Sequence, residues 1–382
     1  MRILRIHPFL KSETILPGAG GMARVSVQLT LALSQAGHDV RVLPIPERLF
    51  GSYVWMLDLG QSVRVEPTLT LLSAKSLVKL APRVIRLRPR SRNARMMLLD
   101  GMSLGALEAS LRSFSPEIVH NHLARQPFPR LAREAGMRIP TVLTHHHGEA
   151  GECLQEYSRV VFNCRATQSR ISAEMGLPLE RTRVVYHPVA EPFLRGPILG
   201  NEMRSGIAFV GAVRDRKGID LLMQVYEACP ELRKHTLFCL GSGEALERCR
   251  SDAQRLNLPI VFEGQLPTAS VQERLGSVRA TVIPSRLESF SRAVTESLCC
   301  GTPVVGWADQ VHETEELLGV APGLAFDARR QSVQELAASI SALLASELMG
   351  TESRQCLARA ARETFTVARL LQGYLSIYHE LL

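Results

Sequence analysis

Two glutamates, Glu288 and Glu296, stand eight residues apart where a buried strand is followed by a helix. The apolar run 280–284 has the length and the β-branched content of a buried strand. Ser291 can cap the helix that follows, and Gly301 marks its end. The next apolar run begins another strand, which completes a βαβ unit. Both carboxylates are therefore expected near the carboxyl end of a strand, where open α/β sheets bind ligands.

Two carboxylates beside the free N–H groups of a helix N-terminus suit a ligand that carries both hydroxyl and phosphate groups. Carboxylates accept hydrogen bonds from sugar and ribose hydroxyls, and a helix N-terminus binds a diphosphate. A nucleotide-activated sugar carries both kinds of group. The pattern therefore favours a nucleotide-sugar site, and the alternative is a pair of acidic residues on an exposed helix face.

The segment from Pro284 to Gly306 resembles the E-x7-E signature of the retaining family 4 glycosyltransferases. It departs from the usual pattern at Ser291, Ser297 and Cys299, where one small residue replaces another. Members of this family have the GT-B fold. The resemblance therefore implies an α/β protein with two Rossmann-like domains, whose parallel sheets face each other across a cleft.

The resemblance also assigns roles to residues of this segment. It implies that Glu296 holds the ribose of the donor, and that Glu288 holds the sugar together with nearby backbone amides. Ser289, Phe290 and Ser291 join them as donor-binding residues.

Length and pattern predict how the chain is divided. A chain of 382 residues exceeds the size at which one core keeps growing, so two domains are expected. Strand and helix patterns alternate in both halves, which predicts parallel sheets covered by helices. The alternation breaks in a Pro- and Gly-containing stretch at 188–205, where we place the linker. The expected domains are 1–190 on the acceptor side and 200–365 on the nucleotide-sugar side. The resemblance implies that a last helix, at about 366–382, packs back on the first domain.

A basic loop follows the first strand of the second half. A departing diphosphate gains negative charge, so fixed cations beside it stabilise the transition state. Lys217 matches the phosphate-binding lysine of the family's G-R-x-x-x-x-K-G stretch, but Ala212 stands where the family has arginine. Arg216 is the candidate to supply the missing charge and Arg214 is the alternative. A solvated loop charge is the other interpretation of each.

Glycines open two further loops of interest. Gly20 and Gly21 begin a helix and resemble the G-G loop of family 4 enzymes, which approaches the donor. Their spacing comes close to a dinucleotide fingerprint, but the preceding loop is too long and no acidic residue ends the second strand. Gly241 and Gly243 resemble the nucleotide-side glycine turn of the family.

Histidines follow two strands of the first half. The family has a donor-contacting histidine at the position of His146 or His147, with His146 favoured. His120 and His122 resemble the family's H-x-H, and they either line the same cleft or have a structural role. Adjacent histidines on an extended segment point in alternate directions, and no cysteine or carboxylate at ligand spacing joins them. The chain also lacks the D-x-D motif of metal-dependent glycosyltransferases. We expect no metal site and no cofactor beyond the donor.

The formal charge of +8 is concentrated in a basic segment from Lys75 to Arg95. Leucine, valine and isoleucine interleave its charges without stacking aromatics, which favours a membrane-surface helix over nucleic acid. A solvated face is the alternative. The expected partners are the nucleotide-sugar donor, an anionic or lipid-linked acceptor and the membrane surface, with no nucleic acid.

Further features predict a cytoplasmic location, at the inner face of the plasma membrane. The N-terminus lacks the apolar region and the cleavage site of a signal peptide. The eight cysteines are scattered, as is typical of a reducing compartment. No apolar run approaches the roughly 20 residues that span a bilayer.

The sequence therefore predicts a retaining, metal-independent hexosyltransferase. It moves a sugar from a nucleotide-diphosphate sugar to an acceptor hydroxyl, in cell-envelope polysaccharide or glycolipid synthesis. Glu288, Lys217 and His146 are the candidate catalytic residues. A sugar-nucleotide epimerase of the same fold and a catalytically inactive nucleotide-binding scaffold are the alternatives.

Overall fold

The computed structural model describes residues 1–8, 21–45, 63–65, 107–122, 128–134, 136–146, 153–286, 288–327 and 330–382. Gly20, His147 and the basic segment from Lys75 to Arg95 lie outside the described residues. The chain forms two compact units, one comprising Met1–Tyr186 and Leu370–Leu382 and the other comprising His187–Arg369.

The first unit is built on a parallel sheet. Its seven described strands lie in the order β3-β2-β1-β4-β5-β6-β7. They are β1 (Arg2–Pro8), β2 (Asp39–Ile45), β3 (Arg64–Val65), β4 (Ile118–Asn121), β5 (Thr141–His145), β6 (Arg159–Phe162) and β7 (Thr182–Val184). The described helices of this unit are α1 (Gly21–Gln35), α2 (residues 107–114), α3 (Phe128–Glu134) and α4 (Arg165–Met175).

The last helix of the chain, α13 (Val367–His379), completes the core of the first unit from Leu370 onward. Leu370, Tyr374, Ile377 and Tyr378 recur at helical spacing and are buried against the sheet and α1. Gly373 allows the helix to lie close to the chain that follows β7, because a Cβ at this position would be 3.1 Å from Val185 Cγ1. Burial of each large side chain contributes on the order of 1.5–3 kcal/mol, which anchors the helix.

The second unit is built on another parallel sheet. Its six described strands lie in the order β10-β9-β8-β11-β12-β13. They are β8 (Ile207–Val210), β9 (Leu237–Leu240), β10 (Ile260–Gly264), β11 (Ala280–Val282), β12 (Val304–Trp307) and β13 (Gly323–Phe326). The described helices are α5 (Glu191–Arg195), α6 (Ile219–Ala228), α7 (Leu246–Arg255), α8 (Thr268–Ser277), α9 (Arg292–Cys299), α10 (Ala308–Leu318), α11 (Val333–Ala345) and α12 (Thr351–Thr364).

The predicted α/β fold class is confirmed, and β11 lies within the apolar run 280–284 that was predicted to be a strand. The stretch 188–205, expected to be a linker, belongs to the second unit. It forms α5, whose Phe193 is buried, and Arg362 donates a hydrogen bond to the carbonyl of Gly196 at 2.5 Å. These contacts explain why a Pro- and Gly-rich sequence packs here.

The strand order of each sheet reverses beside its first strand. In the second unit, β8 lies between β9 and β11, so the loops that follow β8 and β11 leave the sheet in opposite directions. Open α/β sheets bind ligands outside the carboxyl ends of the strands at this point. The candidate residues of the second unit therefore lie where the topology predicts a ligand.

Candidate active site

The loops after β8 and β11 bring Lys217 and Glu288 into contact. Lys217 Nζ forms an ion pair with Glu288 Oε1, and the Ser285 hydroxyl donates to the same oxygen at 2.9 Å. The two charged side chains are only 20% and 12% exposed. The structure thus joins the predicted phosphate-binding cation and the predicted sugar-binding carboxylate. The ion pair is shielded from solvent and holds the two side chains close to each other.

Gly218 makes the close approach of these two loops possible. Its φ is +74°, and a Cβ at this position would lie 2.0 Å from the carbonyl oxygen of Pro284. A hydrogen bond of 2.9 Å from the Arg286 N–H to the Arg216 carbonyl joins the loops beside it. A glycine is required here because any side chain would separate the loops, and with them Lys217 and Glu288.

Gly241 and Gly243 follow β9 and lie against the loop after β8. A Cβ on Gly241 would be 1.9 Å from the Gly211 carbonyl oxygen, and one on Gly243 would be 2.4 Å from that of Val213. The Val213 N–H donates to the Ser242 carbonyl at 3.1 Å. Backbone packing thus accounts for both glycines, and their contact with a nucleotide stays a prediction.

The structure distinguishes the cations of the loop after β8. Arg214 Nε lies 3.1 Å from Glu244 Oε2, and both side chains are well exposed. Arg216 is also exposed, but it has no ion pair with any residue that the structure describes. Of the two candidates for the missing arginine, Arg216 is therefore the one whose charge is available to an anion.

Arg286 is a residue that the sequence interpretation missed. Its guanidinium donates to both carboxylate oxygens of Asp220, at 2.8 and 2.7 Å, and also to the Asp215 carbonyl. Burial opposes ionisation of Asp220, but the hydrogen bonds and charge of Arg286 lower the pKa of this carboxyl below its usual value. The pair ties the loop after β11 to the start of α6. The signal in the sequence for Arg286 was its position two residues before Glu288.

Glu296 lies in α9 and is paired within that helix. Arg292, four residues earlier, donates to Glu296 Oε1 at 2.6 Å, and the Glu296 side chain is 9% exposed. Arg292 also acts on His187. Burial of His187, and then the charge of Arg292, lower the pKa of this imidazole to about 3. The carboxylate that was predicted to bind ribose is thus held in a fixed orientation by a neighbouring cation.

The other residues near α9 that were predicted to bind the sugar donor differ in burial and in contacts. Ser291 is the residue before α9, but its hydroxyl makes no capping hydrogen bond, so that part of the prediction was wrong. Instead, the Ser291 carbonyl accepts from Val294 N at 3.1 Å and from Gln310 Nε2 at 3.2 Å. Phe290 is buried and packs on Phe365, with 6.1 Å between ring centroids. Ser289 is partly exposed after β11.

The C-terminus of α9 is held by a turn and by arginines. Gly301 has φ +66°, and its N–H donates to the Leu298 carbonyl at 2.9 Å, which confirms the predicted end of the helix. Three guanidinium groups bind the last carbonyls, Arg362 that of Cys299, Arg204 that of Cys300 and Arg354 that of Gly301. Cations at this end complement the helix dipole and fix the helix that carries Glu296.

In the first unit, the structure connects His146 with His122. His122 Nδ1 lies 2.9 Å from His146 Nε2, and the two rings are stacked. His120 also stacks on His122, with 4.4 Å between ring centroids. Arg5, which the sequence interpretation missed, contacts both H-x-H histidines. The signal for it was an arginine inside the apolar first strand. Gly21, which was predicted to approach the nucleotide-sugar donor, begins α1.

The described residues also bear on metal binding and on membrane insertion. Within the described ranges, no group of three or more His, Cys, Asp or Glu side chains is arranged to hold a metal ion. Among the helices that the structure describes, none has both the length and the apolar character needed to cross a bilayer.

Comparison with known proteins identifies the family. Residues 19–191 match the profile described as Glycosyltransferase Family 4, and residues 192–364 match that described as Glycosyl transferases group 1. This chain belongs to the family 4 glycosyltransferases. The predicted resemblance is therefore confirmed.

Two known glycosyltransferases are similar to parts of this family 4 glycosyltransferase. It is 33% identical to the D-inositol 3-phosphate glycosyltransferase of Thermomonospora curvata over 115 residues, 27% of this chain and 26% of that enzyme. It is 25% identical to the 2-deoxystreptamine N-acetyl-D-glucosaminyltransferase of Streptomyces fradiae over 237 residues, 52% of this chain and 56% of that enzyme. The matched regions thus cover less than two thirds of either relative.

A solved structure supports the fold. HepE of Anabaena, determined in complex with UDP, superposes with a TM-score of 0.72 at 17% identity and covers 100% of both chains. The predicted GT-B class is confirmed for this family 4 glycosyltransferase.

Proposed function

We propose that this protein transfers a sugar from a nucleoside diphosphate sugar to an acceptor hydroxyl, with retention of configuration and without a metal. The observation that carries the proposal is the shielded ion pair of Lys217 and Glu288 at the reversal point of the second sheet. Family membership supports the reaction type, and the complex of HepE with UDP supports a nucleotide donor.

The ion pair suggests how the donor is bound. When the diphosphate arrives, Lys217 turns from Glu288 to the phosphate oxygens, with Arg216 as a second cation. Glu288 is then free to accept a hydrogen bond from a sugar hydroxyl, while the Ser285 hydroxyl still holds one of its oxygens. As the glycosidic bond breaks, negative charge grows on the diphosphate, and a cation already in place stabilises it without reorganisation.

The nucleoside is assigned to α9 and to the glycine turn. Arg292 holds Glu296 so that its second carboxylate oxygen can accept from the ribose hydroxyls. Gly241 and Gly243 let the backbone approach the nucleotide. The amides of Ser289, Phe290 and Ser291, at the N-terminal end of α9, are assigned to the donor.

Residues of the first unit complete the proposal. His146 is assigned a contact with a sugar hydroxyl, and Gly20 and Gly21 a close approach to the donor. A departing diphosphate oxygen takes the proton of the acceptor, so the reaction needs no protein base. The acceptor is proposed to be anionic or lipid-linked at the cytoplasmic membrane face, because of the basic segment from Lys75 to Arg95.

Lys217→Met tests the proposal, with Lys234→Met as a control because Lys234 is an exposed lysine of the same unit. Donors that protect the protein from thermal unfolding are selected first, since a ligand that binds the folded state stabilises it. Acceptor-dependent release of the nucleoside diphosphate from the selected donor is then measured, and UDP, the ligand of HepE, is the first probe for binding. We expect Lys217→Met to lower turnover about 10²–10³-fold, as loss of one transition-state-stabilising group does, and Lys234→Met to retain it.

Three outcomes would contradict parts of the proposal. Wild-type turnover in Lys217→Met would remove that residue from the reaction. Conversion of the sugar while it is still attached to nucleotide, without acceptor, would indicate an epimerase. Loss of activity in chelator, restored by manganese or magnesium, would show that the transfer depends on a metal.

A further inference from the structure

Arg5 lies in the interior of the first unit with a side chain that is completely buried. One of its terminal nitrogens is 2.5 Å from His122 Nε2, and the other is 3.1 Å from His120 Nδ1. A guanidinium has only donors, so both of these ring nitrogens must be acceptors that carry no proton. Arg5 therefore determines the protonation of two histidines at once.

The protonation of His122 in turn determines that of His146. Because His122 accepts at Nε2, its single proton must be on Nδ1, which lies 2.9 Å from His146 Nε2. The opposite direction would leave His122 without any proton, which a neutral imidazole excludes. His146 must therefore accept at Nε2 and carry its own proton on Nδ1.

His120 connects this arrangement to the C-terminal helix α13. His120 accepts at Nδ1 from Arg5 and from the Tyr378 hydroxyl, which is 2.5 Å away. Its proton is therefore on Nε2, where it is donated to Thr144 Oγ1 at 2.7 Å. Thr144 Oγ1 is 2.6 Å from the Tyr374 hydroxyl. Burial raises the pKa of Tyr374 to about 12, which keeps this phenol protonated.

We propose that Arg5 is a positioning residue that holds His146 in the tautomer with its proton on Nδ1, and so sets the hydrogen-bonding role of the histidine to which the proposed function assigns a sugar contact. The contact with sugar rests on the proposed function, whereas the tautomer does not. Arg5 acts through His122, and α13 stabilises the arrangement through Tyr378. The distances that carry the inference all lie within the first unit.

The tautomers are measured by two-dimensional NMR of the full-length protein labelled with ¹⁵N-histidine, at a pH above the titration of the imidazoles. Single His→Gln variants assign the signals. We expect Nδ1 to be protonated in His122 and His146, and Nε2 to be protonated in His120. A wild-type His146 that carries its proton on Nε2 overturns the proposal.

Arg5→Met removes the donor while it keeps much of the volume, and Arg354→Met is the matched control. Arg354 is an equally buried arginine of the second unit whose described partners are carbonyls, an asparagine and a methionine. We expect Arg5→Met to abolish the pure Nδ1–H signal of His122 and His146, and Arg354→Met to preserve it. Unchanged tautomers in folded Arg5→Met overturn the proposal.

His122→Phe provides a second route if Arg5→Met does not fold. Phenylalanine preserves the ring stack but cannot donate to His146, so His146 should become a mixture of tautomers. An unchanged His146 signal overturns the proposal. In turnover assays, folded Arg5→Met should show a lower kcat with an unchanged affinity for UDP, whose proposed ligands lie in the other unit. An unchanged kcat with altered tautomers overturns the assigned sugar contact alone, and leaves the transferase function intact.

Discussion

The ammonium group of Lys217 rests on the carboxylate of Glu288, although 71 residues separate them along the chain. The contact exists because β8 and β11 are neighbours in the sheet and because Gly218 lets their loops touch. The two groups have opposite charges and different proposed ligands. Lys217 is assigned to the diphosphate, and Glu288 is assigned to a sugar hydroxyl. Substitution of either one should therefore affect a different step.

Glu288→Gln removes the charge of this carboxylate and retains its size. Since Lys217 then loses its counter-ion, UDP should bind as tightly as to the wild type or more tightly, whereas kcat for sugar transfer should fall. Calorimetric titration with UDP and a turnover assay measure the two effects. A variant that loses UDP affinity but retains kcat would assign Glu288 to the nucleotide.

Glu296→Ala should weaken the binding of free UDP by about 1.5–3 kcal/mol, the usual range for hydrogen bonds to a charged group. The reason is that Glu296 is the proposed acceptor for the ribose hydroxyls. Glu352→Ala, which changes an exposed glutamate of the same unit, serves as the control and should bind UDP normally. Equal UDP affinity in both variants would remove Glu296 from the site.

Gly218→Ala should destabilise the second unit and lower turnover. The new Cβ would meet the Pro284 carbonyl at 2.0 Å, in a left-handed conformation with φ +74°. Gly319→Ala is a matched control, since Gly319 has φ +69° and nothing within 4 Å of the added Cβ. The control should show only the conformational cost of about 1–2 kcal/mol.

Denaturant unfolding and a turnover assay compare the two glycine variants. The free energy of unfolding should fall further in Gly218→Ala than in Gly319→Ala, and only Gly218→Ala should lose turnover. Equal unfolding free energies and equal activities would mean that the contact of the two loops is unimportant.

His187 should make the second unit sensitive to acid. Burial and Arg292 lower its pKa to about 3 in the folded state, against 6.5 for the ordinary imidazole. Below pH 6.5 the unfolded chain therefore binds a proton that the folded chain does not, so stability falls as the pH falls toward 3. The loss from this group between pH 6.5 and 5 should be about 2 kcal/mol.

Unfolding of wild type and His187→Gln across this pH range measures the effect. The variant lacks the imidazole, so its free energy of unfolding should depend less on pH than that of the wild type. Parallel pH profiles for the two proteins would contradict the assignment.

The basic segment from Lys75 to Arg95 should bind anionic lipid. Replacement of Arg86, Arg88 and Arg90 by glutamine should weaken binding to phosphatidylserine vesicles by about 3 kcal/mol, at about 1 kcal/mol per residue. Binding of UDP, to which none of these arginines is assigned, should be preserved. Co-sedimentation with vesicles at low and high salt measures the effect.

A triple control keeps the change in net charge equal. Arg255, Arg359 and Arg369 are exposed in the second unit, and their joint replacement by glutamine should leave vesicle binding intact. If wild-type protein does not bind anionic vesicles even at low salt, the membrane interpretation fails and a small soluble acceptor is preferred.

Several features of the second unit were predictable because they depend on short segments. The apolar run at 280–284, the helix after Ser291 and the turn at Gly301 follow from local periodicity and turn chemistry. The hydroxyl of Ser291 failed to cap α9 although its position was predicted correctly. A capping bond depends on the direction of one side chain, which neighbouring elements decide.

The arginines show the limit of prediction from sequence. Arg204, Arg354 and Arg362 look like ordinary surface charges, yet they bind the carbonyls that end α9. Arg362 is 63 residues from its acceptor along the chain. No local pattern distinguishes a guanidinium that reaches a distant helix end from one that is solvated.

The sequence by itself determined the alternation of strands and helices, the family, and which loops carry carboxylates and cations. These properties belong to segments of a few residues, whose apolar periodicity and turn residues act locally. Only the tertiary structure decided which of these residues meet. His120 contacts Tyr378, which is 258 residues away along the chain, and Arg5 contacts His122, which is 117 residues away. Such contacts depend on strand order and on the return of the last helix, which are determined by packing of the whole unit and not by spacing along the chain.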